Sequence, residues 1–260
     1  MRIDLYLVEH GFCESRNKAA RLIGEGKIYL DGRAVTKASL DVRDGYHEIN
    51  ITEQEKYVGR GGLKLEGALD FFNFDVSGKK CIDVGASTGG FTDCLLQRGA
   101  ASVCAVDSGK GQLHSKLLDD IRVTSIEGFN ARALDPEAFG YFDLAVTDVS
   151  FISQTLLHAP ISSVLKDGGA FITLIKPQFE AGKSALGKNG IVKAPKDREN
   201  AVLRVIESAE LCGFALQGIT RSPIVGGDGN REYLALFIKA KNENDIDIKN
   251  KLRIKELCAD

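Results

Sequence analysis

One stretch constrains the fold of this chain more than any other. Residues 81–84 (Cys-Ile-Asp-Val) read as an apolar strand, Gly85-Ala86-Ser87-Thr88-Gly89-Gly90 follows as a glycine turn, and Phe91, Cys94 and Leu95 mark an amphipathic helix. The alternation continues. Strands are expected at 103–106, 122–126, 144–146 and 170–175, with a helix over roughly 154–165 between the last two. A longer helix at about 196–212 carries Val202, Val205, Ile206 and Ala209 on one face, and strands near 215–222 and 232–238 close the pattern. Strands alternating with helices imply a mostly parallel sheet covered on both faces.

With 260 residues and 43% hydrophobic content, the chain can build one sizeable α/β core and a small appended unit. Residues 1–52 read as that unit. Ile3, Leu7 and Val8 have helical spacing before Gly11. Ser15 can cap a second helix whose Ala19, Leu22 and Ile23 face inward. Asp31-Gly32 suits a type I′ turn between two short strands, and His47, Ile49 and Ile51 alternate as a closing strand. Residues 53–60 are polar and linker-like, and a helix opens at Gly61-Gly62 and runs to about Phe72. Residues 240–260 are charge-dense and read as a surface helix or a frayed tail.

Several function classes are excluded. No apolar run approaches the ~20 residues of a membrane helix, and the first residues lack the apolar region of a signal peptide. The six cysteines (13, 81, 94, 104, 212 and 258) show no C-x-x-C spacing. They read as free thiols of a cytoplasmic protein, with no metal site expected. A net charge of −2 announces no nucleic-acid partner globally, so any such surface is a local patch.

The glycine turn is a cradle for a nucleotide-like cofactor. Glycines permit close backbone approach, and the helix start supplies N–H donors. Asp107 ends the second strand, 22 residues after Gly85, where an acid can grip ribose hydroxyls. The spacing Gly85-x-x-x-Gly89-Gly90 is not G-x-G-x-x-G. A ligand with a ribose, a positive sulfonium and no phosphate, S-adenosyl-L-methionine, therefore suits it better than a dinucleotide. The candidate cofactor set is Asp83, Gly85, Ala86, Ser87, Thr88, Gly89, Gly90, Phe91, Asp107, Asn130 and Asp148. The bland alternative is that these glycines only turn the chain and let helix pack on strand.

Four polar residues should meet beside that turn. Ligands of open α/β sheets sit at the carboxyl edge where strand order reverses. Asp148 follows the fourth strand and Lys176 the fifth. Glu232 opens a final strand inserted antiparallel, and Lys64 lies in the first turn of the helix from Gly61. Two lysines and two carboxylates suit methyl transfer to a hydroxyl, with Lys176 as the base. A free lysine is neutral in only about one molecule in 2,500 at pH 7, so this role needs a neighbouring cation such as Lys64 or the sulfonium. Lone residues of these types would ordinarily be surface ion pairs.

These residues carry a resemblance. The turn at 85–90 with Asp148, Lys176 and Glu232 resembles the ribose 2′-O-methyltransferases of the FtsJ type, which carry a Lys-Asp-Lys-Glu tetrad. The stretches 57–65 (Tyr-Val-Gly-Arg-Gly-Gly-Leu-Lys-Leu), 83–93 and 175–180 (Ile-Lys-Pro-Gln-Phe-Glu) are closer still to the TlyA (hemolysin A) family, and the match extends to about residue 239. It implies an S-adenosyl-L-methionine-dependent enzyme that methylates ribose 2′-hydroxyls, with cytidine as the target, of ribosomal RNA within ribosomal subunits. Lys64, Asp148, Lys176 and Glu232 would be its tetrad. The implied fold class is α/β: a Rossmann-like class I methyltransferase sheet, mostly parallel with one antiparallel strand near the end, and a small N-terminal α+β RNA-binding domain. The expected organisation is residues 1–59, residues 60–240 and a charged tail 241–260, in a monomer with no membrane partner. Two departures stand out. Ser108-Gly109-Lys110-Gly111 places a lysine where an apolar or aromatic residue is expected. Val149-Ser150-Phe151 differs from the Pro-Pro-aromatic run of amino methyltransferases, which argues against base N-methylation.

Residues 1–40 hold seven Lys or Arg against five Asp or Glu, so arrangement matters more than total charge. Arg2, Arg16, Lys18, Arg21, Lys27 and Arg33 are the candidate phosphate contacts of this module, with Arg60 bridging towards the active site. Segment 177–199, with Gly182, Gly187 and Gly190, is a candidate substrate lid or a plain surface loop. Competing functions are a haemolysin, a ribosome-assembly factor with vestigial methyl transfer, and a nicotinamide dehydrogenase, against which the loop spacing counts.

Overall fold

The computed structural model describes residues 1–260 except 44, 46, 53–55, 227, 228, 241–250 and 260, and the side chains of residues 188 and 251–253 lie outside the description. Two compact units emerge, Met1–Lys56 and Tyr57–Asp260.

In the first unit, α1 (Ile3–Glu9) and α2 (Arg16–Gly24) pack on a three-stranded sheet of order β2-β1-β3, formed by β1 (Ile28–Leu30), β2 (Arg33–Ala34) and β3 (Ile49–Ile51). Ser15 caps α2: its Oγ accepts from the Lys18 amide at 3.2 Å. Asp31 (φ 49°) and Gly32 (φ 74°) both take the left-handed conformation that a type I′ turn requires. Ile3, Leu7, Ala19, Leu22, Ile23 and Ile28 form the buried core. The closing strand starts later than expected. His47 stands outside it and pairs with Asp31 at 2.7 Å.

The second unit opens at Tyr57, three residues before the expected boundary. Tyr57 is buried in the core and the Val58 amide donates to Asp93 Oδ2, so the end of the expected linker is packed structure; 53–55 lie outside the described residues. Along the chain follow α3 (Gly61–Phe72), β4 (Lys80–Val84), α4 (Gly90–Gln97), β5 (Ser102–Asp107), α5 (Ser115–Leu118), β6 (Val123–Glu127), α6 (Pro136–Phe139), β7 (Phe142–Thr147), α7 (His158–Val164), β8 (Leu165–Ile175), α8 (Pro177–Glu180), α9 (Pro195–Leu211), β9 (Phe214–Arg221), β10 (Tyr233–Lys239) and α10 (Lys251–Cys258). The strand order is β6-β5-β4-β7-β8-β10-β9, parallel except that β10 runs antiparallel to β8 and β9. Order reverses between β4 and β7.

Period-two alternation divides the core between the two faces. Cys81, Leu144 and Ile172 pack with Leu65 and Leu69 of α3 and Leu95 of α4. Ile82, Ala145 and Phe171 pack with Ile161 of α7 and Val202, Val205 and Ile206 of α9.

Two expectations are corrected. The single helix over 154–165 is a 3₁₀ turn (Gln154–Leu156) followed by α7, and Leu165 already belongs to β8. The register between β7 and β8 shifts before Leu144, across a segment in which Gly168 has φ 75°. At the C-terminus, residues 251–258 form a helix, one of the two alternatives expected, but α10 is packed on the core and does not lie free on the surface. Ile254 and Cys258, one turn apart, are buried with the α9 face. Arg198 donates to the Cys258 carbonyl, and Arg221 to those of Leu257 and Ala259, so cations serve the carbonyls that end the helix.

Candidate active site

The carboxyl edge at the β4/β7 switch opens into a cleft of ≈ 730 Å³. Gly85, Ser87, Asp107, Asn130 and Asp148 line it, all from the predicted cofactor set. Gly85 is required by geometry. Its φ is +86°, and a Cβ there would meet Val149 Cγ1 at 2.9 Å and the Asp148 carbonyl oxygen at 3.0 Å. Asp107 holds the loops on either side, accepting from the Ser87 amide at 2.8 Å and the Gly109 amide at 2.7 Å.

The remaining predicted residues shape the turn rather than line the cleft. Gly90 faces the start of α3, where a Cβ would meet the Gly62 nitrogen at 2.9 Å and the Gly59 oxygen at 3.1 Å. Gly89 supplies the left-handed residue before α4, the Thr88 hydroxyl lies against Gly59, and Ala86 and Phe91 are core residues. Asp83 is fully buried beneath the turn, where burial pushes its pKa up to about 7 although the Thr92 hydroxyl donates to it at 2.7 Å. Packing therefore accounts for part of the glycine run. Lys110 does not line the cleft; its stem lies over Gly128.

Beside this cleft lies a second, of ≈ 340 Å³, lined by Lys64, Lys176 and Glu232 together with Ser150, Phe151, Gln178, Phe179, Leu186, Asn189 and Gly190. Ser150 and Phe151 line both clefts. The four predicted polar residues form two ion pairs: Lys64 with Glu232 at 2.6 Å and Lys176 with Asp148 at 2.6 Å. Lys176 Nζ also donates to Ser150 Oγ at 2.8 Å. The topology thus brings together a residue of α3 and residues directly flanking β7, β8 and β10.

A buried polar chain fixes the strand ends behind these pairs. Thr147, next to Asp148, bonds Thr173 at 2.7 Å, and Thr173 donates to Gln154. The Gln154 amide and the Ser153 hydroxyl both donate to Glu180, at 2.8 and 2.5 Å. Burial raises the Glu180 pKa, opposed by those two donors. The loop carrying Ser150 and Phe151 is therefore tied to the α8 turn that follows Lys176. Segment 177–199 contributes Gln178, Phe179, Leu186, Asn189 and Gly190 to the second cleft.

Sequence reasoning misses two residues that line the clefts, Ser150 and Phe151, and one acid, Glu127, that holds a neighbouring loop. Ser150 was noted only as part of a departure. Phe151 is 89% exposed with φ +66° and lies 5.4 Å, centroid to centroid, from Phe179; no sequence signal announces that geometry. Glu127 ends β6 as Asp107 ends β5, a signal that was legible. Its carboxylate accepts from the amides of Gly111, Gln112 and Leu113, which hold its pKa below the usual range.

Of the candidate RNA contacts, Arg2 and Arg16 share Asp4, Lys18 pairs with Glu14, and Arg21 and Lys27 both pair with Glu25. Arg33 is exposed on β2, and Arg60 donates to the Val225 carbonyl at 3.1 Å within the second unit.

Comparison with known proteins fits this geometry. Residues 57–239 match the FtsJ-like methyltransferase family and residues 1–47 match the S4 domain. The chain belongs to the FtsJ-like methyltransferase family. Within it, the 16S/23S rRNA (cytidine-2′-O)-methyltransferase TlyA of Mycobacterium tuberculosis is 43% identical over 95% of this chain and 93% of its own length. Hemolysin A of Brachyspira hyodysenteriae is 44% identical over 92% of this chain and its full length. A solved structure from Streptococcus thermophilus, also named for hemolysin, superposes with a TM-score of 0.80 at 41% identity, covering 99% of this chain and 94% of that one. The resemblance read from the motifs at 57–65, 83–93 and 175–180 is thereby shown, and so is the Rossmann-like fold. Among the described residues of this FtsJ-like methyltransferase, no cluster of His, Cys, Asp or Glu is arranged to hold a metal ion, and no helix is long and apolar enough to cross a membrane.

Proposed function

We propose that this FtsJ-like methyltransferase uses S-adenosyl-L-methionine to methylate a ribose 2′-hydroxyl, that of a cytidine, in ribosomal RNA. The observation that carries the reading is the junction of the two clefts, where the Asp148–Lys176 pair joins a cofactor-sized cavity to a second, smaller one that Lys64 and Glu232 line. The activity for which the Mycobacterium tuberculosis relative is named points the same way.

The larger cleft fits the cofactor. Its lining includes two carboxylates, Asp107 and Asp148, against one cation, Arg132, which suits a sulfonium and offers little to a pyrophosphate. Asp107 would hold the ribose, and Gly85 and Ser87 would cradle the rest. Bound there, S-adenosyl-L-methionine supplies an activated methyl group on a positive sulfur.

The protein's own task is to align the hydroxyl and remove its proton. Lys176, in its neutral amine form, is the group proposed to take that proton and become the ammonium that Asp148 pairs with. Asp148 and Ser150 fix its Nζ, and Glu232 fixes Lys64 beside it. Phe151 and Phe179 provide aromatic faces in the second cleft on which an unstacked base can lie. The first unit would hold RNA through its arginines and lysines.

The test is transfer of tritium from labelled cofactor to purified 30S and 50S subunits, with Lys176→Ala as control. Label that maps to alkali-resistant dinucleotides and is lost in the variant supports the reading. Cofactor binding without label on either subunit overturns the assignment of substrate.

A further inference from the structure

Within residues 1–56, Asp4 is the only buried charged side chain among the described residues. It lies in the first turn of α1 and accepts four hydrogen bonds. Arg2 Nε donates to Oδ1 at 3.0 Å and Arg2 Nη2 to Oδ2 at 3.1 Å; Arg16 Nε and Nη2 both donate to Oδ2, at 3.2 and 2.9 Å. One carboxylate thus bridges two guanidinium groups that are 12 and 2 positions away in the chain.

The backbones at both arginines are fixed as well. Arg2 forms a β-bridge with Asp41 and caps the start of α1 with its carbonyl. Arg16 is the first residue of α2, whose start is set by the Ser15 cap.

Exposure shows what the cluster is for. The Asp4 side chain is 5% exposed, whereas those of Arg2 and Arg16 are 52% and 53% exposed. Half-exposed pairs of this kind contribute little to stability. Their geometric effect is larger. A planar guanidinium held by two of its donors keeps three for another acceptor, in a fixed orientation. Two such cations side by side would repel and sample many rotamers without the carboxylate between them. With it, they form a preformed pair whose ordering cost is already met. Bidentate donation from paired guanidiniums is the chemistry that grips phosphate oxygens.

We infer that Asp4 is a positioning residue for RNA binding, holding Arg2 and Arg16 as a preformed clamp on backbone phosphates. The inference rests on reading residues 1–56 as an RNA-binding module.

The test turns on a difference of sign. Asp4→Asn removes a negative charge from the module, so if Asp4 acts only through its charge, the variant binds RNA more tightly. As a positioning residue, its loss weakens binding of the full-length protein to purified ribosomal subunits by roughly three- to tenfold at fixed salt and flattens the dependence of log K on log salt, because phosphate contacts are lost. Asp4→Glu, which keeps the charge but displaces the carboxylate, should also weaken binding; charge alone predicts no change. In an Arg2→Ala/Arg16→Ala background, Asp4→Asn should cost nothing further. Amide exchange in α1 and α2 checks that the variants keep their fold. Equal or tighter binding by folded Asp4→Asn, with Arg16→Ala weakened, overturns the inference and leaves the RNA reading intact. Unchanged affinity in Arg2→Ala and Arg16→Ala removes the RNA reading of these residues, and the inference with it.

Discussion

Lys64 Nζ donates to Glu232 Oε2 at 2.6 Å, joining residues 168 positions apart in the chain. The pair is buried, with side chains 10% and 3% exposed. It ties the start of α3 to the segment that opens β10. Removing one partner of a buried pair leaves a charge without compensation and costs about 3–5 kcal/mol, whereas replacing both with apolar side chains is often neutral. Glu232→Ala should therefore lower stability by about that amount, while Lys64→Met/Glu232→Leu should recover most of the loss and still fail to transfer methyl groups. Urea unfolding beside tritium transfer checks both. A double variant that is stable and fully active would remove the pair from the site.

Lys176 lines only the second cleft, whereas Ser150 lines both. Lys176→Ala should consequently retain cofactor binding, with Asp148 left free to face the sulfonium, and lower kcat by about 10²–10⁴-fold, the range for a lost general base. Ser150→Ala removes the hydroxyl that accepts from Lys176 Nζ and should lower kcat by roughly tenfold, one donor–acceptor contact being worth on the order of 1 kcal/mol. Calorimetric titration with cofactor, paired with single-turnover rates on ribosomal subunits, separates binding from chemistry.

Two buried titratable groups give stability an opposed pH dependence. Burial pushes Asp83 up to about 7, so between the unfolded carboxylate range and pH 7 the folded state holds a proton that the unfolded state has lost, and stability falls as pH rises. Burial pulls His158 down to about 4, against the bond from its Nδ1 to Ser208 at 2.9 Å. Between that value and the ordinary histidine range the unfolded state binds the extra proton, and stability falls as pH drops. Each effect has an upper bound of about 3–4 kcal/mol. Asp83→Asn should gain stability over wild type at pH 8 but not at pH 4, and His158→Phe should gain at pH 5 but not at pH 8. Urea midpoints at these pH values decide; a variant without its predicted gain removes that group from the account.

Much of this arrangement was legible because it follows from strand ends. Asp107, Asp148 and Lys176 each follow or close a strand, so once the alternation was read, topology placed them. Glu232 required the further step of inserting the final strand antiparallel, so that it begins at the same edge. What could not be read depends on approach between elements. Gly90 is needed by the backbone of α3's first turn, and Ser150 gains its role only from where Lys176 Nζ arrives. The C-terminal helix was one of two readings, but its burial was hidden for another reason. Among the described side chains of 251–258, Ile254 and Cys258 are buried and Leu257 packs half-buried against the same core, a short apolar face set in a charge-dense composition, and the last carbonyls are satisfied by arginines from α9 and β9.

Each unit has a core of its own, Ile3, Leu7 and Ile28 among the residues of the first, Leu65, Ile82 and Phe171 among those of the second. Lys64, Asp148, Lys176 and Glu232 and both of these clefts belong entirely to the second. A fragment of residues 57–260 should therefore fold and bind S-adenosyl-L-methionine with the affinity of the full chain. Its defect should lie in the RNA. If the first unit supplies a tethered phosphate contact, its removal turns an intramolecular binding event back into a bimolecular one and lowers kcat/KM for ribosomal subunits by about 10²-fold or more. The loss should appear mainly in KM, because the groups that move the proton are still in place. Steady-state kinetics of fragment and full chain at matched salt test this. A fragment as active as the full chain would show that residues 1–56 do not deliver the substrate, and equal weakening of cofactor binding would show that the second unit does not stand alone.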